Sequence, residues 1–165
     1  MKLKSIAAAS VVALTALSSH AASTDWGQHD LLESALGLTA GGVIFDTFSF
    51  SLAVQSDVAS SVSSLGAVGA GTYSLFAVGA DGVLGTADDI GFGAWNFGGA
   101  PTVHTVSLAA GNYYYAVFGL ASGAAAYSIN SAAAAAPVPE PETYALLGAG
   151  LGVIGFVVSR RRREA

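Results

Sequence analysis

Between residues 43 and 54 the chain alternates with a period of two, and this limits the possible fold more than any other feature. Ile44, Asp46, Phe48, Phe50, Leu52 and Val54 share one side of an extended chain, while Val43, Phe45, Thr47, Ser49, Ser51 and Ala53 share the other. Such a period belongs to a pleated strand with one buried face, because a helix would scatter the same residues around its circumference. Residues 48–54 are the cleanest part of the pattern, and Val58 and Val62, set among serines, predict a second, weaker strand. Further strands are expected at 72–78, 94–97, 103–108, 112–120 and 126–130, with glycine-bearing turns between them. Residues 31–36 suit either a helical turn or a first strand entered late. Strands spaced this closely predict an all-β fold, an antiparallel β-sandwich or jelly-roll-like domain.

Charge narrows the function classes. Hydrophobic residues make up 53% of the chain and charged residues only 10%, and the surplus is Ala, Gly and Val rather than helix-forming Glu and Lys. Every Lys and Arg lies near an end, Lys2 and Lys4 at the start and Arg160, Arg161, Arg162 and Arg163 at the finish. The acids of the body are Asp25, Asp30, Glu33, Asp46, Asp57, Asp81, Asp88 and Asp89. A body without cationic side chains cannot neutralise phosphates, which excludes nucleic acid as a partner. The chain has no cysteine, so thiol catalysis, thiolate metal sites and disulfides are excluded as well.

The two ends read as addresses. Lys2 and Lys4 precede an apolar stretch at 6–17, and Ser19-His20-Ala21 then offers small residues where a signal peptidase reads, so residues 1–21 are expected to be a signal peptide forming a signal helix. Cleavage is expected after Ala21 or one residue later. At the other end, residues 144–158 form an apolar run of 15, expected to be a transmembrane helix held by the arginine cluster on the cytoplasmic side. Gly148, Gly150, Gly152 and Gly155 weaken that helix as a permanent anchor. The expected layout is therefore a signal peptide at 1–21, an acidic β-sandwich at 22–131, an Ala-rich linker at 132–137 and a sorting segment at 138–163.

Val138-Pro139-Glu140-Pro141-Glu142, an apolar helix and a terminal arginine cluster, in that order, resemble a PEP-CTERM sorting signal whose motif core is Pro139, Glu140 and Pro141. The resemblance implies a Gram-negative bacterium with an exopolysaccharide locus. It also implies an exosortase, a membrane cysteine protease that removes the tail and releases or transfers the protein at the cell surface. The partners expected on this reading are signal peptidase, exosortase, the inner membrane in passing, and exopolysaccharide. Ile44, Asp46 and Phe48 resemble the FxDxF signature of one family of such proteins, with Ile44 in place of the first Phe. Residues 108–114 followed by Ala126-Tyr127-Ser128-Ile129 resemble the closing strands of bacterial pre-peptidase C-terminal β-sandwiches.

Candidate sites are few. Asp46 interrupts an apolar strand face, as a ligand contact or as a carboxylate accepting backbone N–H groups. Asp81, Asp88 and Asp89, with Gly82 and Gly85 between them, offer hard oxygen ligands for calcium and resemble calcium loops of bacterial surface repeats. A solvated hairpin loop needs the same residues. His29 lies near Asp25 and Asp30 in sequence, and His104 alternates with Val106 and Leu108 as a sheet residue would. Trp26, Trp95 and Phe97 are the aromatic candidates for stacking on sugar rings, or else core residues. No serine lies in a nucleophile-elbow pattern. The sequence thus reads as a non-enzymatic surface or matrix protein, or alternatively as a carbohydrate-binding or calcium-stabilised module, with no cofactor other than calcium in prospect.

Overall fold

The computed structural model describes residues 19–136 and 141–163. The chain divides after Ala135 into two units. The first holds ten strands: β1 (Ser19–His20), β2 (Ser23–Gln28), β3 (Leu32–Thr39), β4 (Gly42–Leu52), β5 (Ser56–Leu65), β6 (Val68–Ala77), β7 (Ile90–Asn96), β8 (His104–Leu108), β9 (Gly111–Ala121) and β10 (Ala125–Ala135). One sheet runs β1-β4-β9-β6-β7, with β2 continuing along the same edge of β4, and the other runs β3-β10-β5-β8. Most pairings are antiparallel, but β1 and β2 lie parallel to β4. The described residues therefore form a two-sheet, all-β body.

The alternation in β4 is realised as read. Ile44, Asp46, Phe48, Phe50 and Leu52 are buried, and their even spacing places them against the other sheet. Val54 leaves the pattern because β4 ends at Leu52, and it is exposed. Residues 31–36, open between helix and strand, belong largely to β3. The serine-rich second strand is longer than its apolar residues suggest and reaches from Ser56 to Leu65.

Serines sit in the core because tyrosines of the facing sheet reach them. Tyr73 donates to the Ser60 carbonyl at 3.1 Å, and the Tyr115 hydroxyl lies 3.0 Å from Ser131 Oγ. Large rings meeting small hydroxyl residues fill the space between sheets and satisfy the buried hydroxyls together. Among the described residues no buried side-chain polar atom lacks a hydrogen-bond partner. Burial pushes the Tyr115 hydroxyl up to about 12.

Three expectations for the ends need restating. Residues 1–18 of the expected signal peptide, and with them the expected signal helix, lie outside the described residues; Ser19–His20 form an edge strand. Residues 132–135, expected as linker, continue β10 and pair with β5 at 56–59, since alanine fits a pleated edge as readily as a linker. The second unit holds one helix, α1 (Pro141–Arg163). The expected transmembrane helix at 144–158 is corrected here, for among the described residues no helix is long and apolar enough to cross a membrane. The physical reason is that a span takes about 20 apolar residues. The run of 15 carries four glycines and then meets Arg160 to Arg163.

Candidate functional site

Of the sorting motif, Pro139 and Glu140 lie outside the described residues, and Pro141 opens α1. Proline suits the first helical position, where its missing N–H is not needed. The exposed run of α1 includes Tyr144, Leu147, Leu151 and Ile154, and Arg160 and Arg161 follow as exposed residues.

The body presents a second constellation, around Asp46. This residue is 1% exposed, at the centre of β4, opposite Val117 of β9. Its Oδ1 accepts from the Ala22 backbone N at 2.7 Å, and its Oδ2 accepts from the Tyr127 hydroxyl of β10. One carboxylate thus joins the link between β1 and β2, strand β4 of one sheet and strand β10 of the other. The Tyr127 hydroxyl is held well above the ordinary tyrosine range, first by burial and then by its bond to the carboxylate. Beside it, Thr47 N donates to the Ala22 carbonyl at 2.8 Å, so Ala22 is fixed through both of its backbone polar groups. Ile44 and Phe48, the other residues of the expected signature, point into the same core.

The loop at 79–89 is the third. Asp89 Oδ1 accepts from Gly79 N at 2.7 Å, while Oδ2 accepts from Gly85 N at 2.7 Å, Thr86 N at 3.2 Å and the Tyr114 hydroxyl at 2.8 Å. Asp88 accepts from Thr86 Oγ1 at 2.7 Å and from Asp81 N at 3.2 Å, and Asp81 accepts from Val83 N at 2.8 Å. These carboxylates tie the loop to itself and to β9. Backbone N–H donation from Gly79 lowers the Asp89 carboxyl, and the Thr86 hydroxyl lowers that of Asp88. Among the described residues no three His, Asp or Glu side chains are grouped so that they could hold a metal ion. The carboxylates expected as calcium ligands accept hydrogen bonds from the loop's own amides and from the Thr86 and Tyr114 hydroxyls.

Sequence reasoning did not foresee what the loop covers. Tyr113, Tyr114 and Tyr115 are consecutive on β9 and all buried, although neighbours on a strand point to opposite faces. Tyr113 and Tyr115 point into the core, and Tyr114, only 3% exposed, lies on the outer face beneath the loop. Beside it runs an apolar groove of about 390 Å³ lined by Phe45, Thr47, Phe76, Leu84, Tyr114 and Ala116.

The histidines are structural partners. His29 Nε2 lies 2.8 Å from Ser131 Oγ, and its ring meets Phe50 edge-on at 5.0 Å. Ser131 is 0% exposed, so this Ser–His pair joins the edge strand to the core and presents no nucleophile to a substrate. His104 stacks on Trp95 at 4.9 Å. Trp26, Trp95 and Phe97 are partly buried and pack against the core.

No curated protein matches the chain. Among solved structures, the crystal structure of the pre-peptidase C-terminal domain of a collagenase from Bacillus anthracis aligns with a TM-score of 0.47 and 17% identity, covering 66% of this chain and 93% of that one. The family profile of the PEP-CTERM protein-sorting motif matches residues 137–163. The described β-body thus ends just before a C-terminal segment that is a PEP-CTERM protein-sorting motif.

Proposed function

We propose that this chain is an exported, non-enzymatic protein of the cell surface or extracellular matrix, whose tail is recognised and removed by an exosortase. The observation that carries the reading is the PEP-CTERM motif at residues 137–163. An apolar run of 15 residues is short for a stable crossing of about 20, which suits a tail that is discarded. Signal peptidase and the inner membrane are the earlier partners on this route. The body is cargo. Its buried Ser131 and core-packed Trp95 and Phe97 support a structural role over a hydrolytic or sugar-stacking one. Association with exopolysaccharide in a biofilm matrix is the destination we assign to it, and the FxDxF resemblance of Ile44, Asp46 and Phe48 marks the body's fold rather than a chemistry.

The test is fractionation of a host that has an exosortase, with mass spectrometry of the C-terminus of the surface fraction. Mature protein lacking Arg160 to Arg163 is expected. Surface protein that keeps all four arginines, equally with and without the exosortase, overturns the reading.

A further inference from the structure

We infer that Asp46 is the binding site for the chain's own N-terminal ammonium, created when the leader is cut between Ala21 and Ala22. The inference rests on the export reading above. Hydrolysis of that peptide bond adds one water, leaving a carboxylate on Ala21 and an amine on Ala22 that takes up a proton. In the precursor the same nitrogen is an amide, and it already lies 2.7 Å from Asp46 Oδ1. Cleavage therefore replaces a neutral donor by a cation at a nitrogen already placed against Asp46. A cationic donor adds a coulombic attraction to the carboxylate that a neutral amide lacks.

The geometry also chooses between the two cleavage positions that the sequence left open. A cut after Ala22 would remove both the nitrogen that meets Asp46 and the carbonyl that receives Thr47 N at 2.8 Å. A cut after Ala21 keeps both and releases only the short parallel pairing of Ser19–His20 with Val43 and Ile44. The groups facing the new ammonium are Asp46 from β4 and, behind it, the Tyr127 hydroxyl from β10; across β9 the neighbour of Asp46 is the apolar Val117. The mature body carries no Lys or Arg, so this ammonium is its single fixed cationic group besides histidine.

That composition supplies a clean test. The only lysines are Lys2 and Lys4, both in the leader, so the mature protein has one primary amine. The full-length precursor is exported from its host, the mature protein is purified, its N-terminus is sequenced, and acetic anhydride labelling is followed against pH in buffer and in urea. An ammonium held by a carboxylate has a raised pKa, and one unit of upward shift slows labelling about tenfold at neutral pH. We expect Ala22 as the first residue and labelling at least about tenfold slower in the folded than in the unfolded protein. Asp46→Asn is expected to remove the difference, and the native-versus-urea comparison stands without that variant if it does not fold. An Ala22 terminus that labels at the same rate folded and unfolded overturns the inference and leaves export intact. A Ser23 terminus does the same. A terminus at Met1 overturns the export reading itself.

Discussion

Gly37 shows how one missing side chain decides what a core can hold. It lies on β3 directly across from Tyr127, and a Cβ built on it would stand 2.0 Å from that ring's Cε1 and 2.4 Å from Cζ. The ring is buried and its hydroxyl is committed to Asp46, so it cannot swing aside as the end of a flexible chain would. Gly37→Ala is therefore expected to destabilise the body by about 1–3 kcal/mol, as overpacking does, read as a fall in the urea midpoint. Unchanged stability would mean that the ring relaxes elsewhere. Titration gives a second prediction at this scale. The Tyr114 and Tyr115 hydroxyls are both pushed up to about 12, first by burial, from an ordinary value of 10.0. A group whose pKa is raised on folding contributes stability that is present below its unfolded pKa and is lost as the pH rises through the folded one. Stability should hold to about pH 10 and fall toward about pH 12, with tyrosinate absorbance appearing together with unfolding. Ionisation of all the tyrosines at the ordinary value, with the fold retained, would count against this core. Neither contact was legible beforehand. That Tyr127 would meet Gly37 depends on the register between two strands some ninety residues apart, and no local pattern records a register.

At the scale of elements, the 79–89 loop was visible as a cluster of acids and glycines, but its purpose was not. Its composition suits cation binding and a plain turn equally, and what separates the two is where the carboxylate oxygens point. Here they accept from amides and from the Thr86 and Tyr114 hydroxyls, and the loop covers the outer face of Tyr114. Asp88 and Asp89 have lowered folded pKa values, so their contribution is present above the ordinary value of 3.8 and is lost as the pH falls through the folded values. Hydrogen-exchange protection of the Gly79 and Gly85 amides, both donors to Asp89, should accordingly persist below pH 3.8 and vanish only as the pH falls through the lowered Asp89 value. Loss of protection already at or above the ordinary value would place the loop's stability elsewhere. The same geometry predicts that adding Ca²⁺ leaves the unfolding temperature unchanged, since a ligand that binds only the folded state would raise it. A dose-dependent rise would show that these carboxylates give up their amides for a cation. Strand β5 teaches a related point. Its serines hid its length, because hydroxyl side chains read as loop until tyrosines from the facing sheet are there to meet them.

For the whole molecule the governing fact is an acidic body with its basic residues at the two ends of the chain. With acids distributed through the body and cations confined to the chain's ends, the surface repels itself. Raising the ionic strength from about 0.01 to about 0.15 M shortens the Debye length from about 30 to about 8 Å. The unfolding temperature should rise with it, and a fall would indicate attractive pairs that the charge pattern does not suggest. The C-terminal sorting segment and the all-β class could be read from the sequence alone, because an apolar run beside a charge cluster and a period of two are local signals that survive without tertiary context. The PEP-CTERM motif at 137–163 is of this kind, a linear pattern read by another protein in an extended or helical segment. The transmembrane expectation at 144–158 shows the limit of local reading, for a run of 15 broken by four glycines is apolar without being long enough. What only the tertiary structure decided is which distant residues meet. Ala22, Asp46 and Tyr127 stand at three separate places along the chain and converge on one carboxylate because a parallel edge strand and two packed sheets bring them there. Whether a buried acid lies within bonding distance of the Ala22 nitrogen is a property of that packing, and composition cannot encode it.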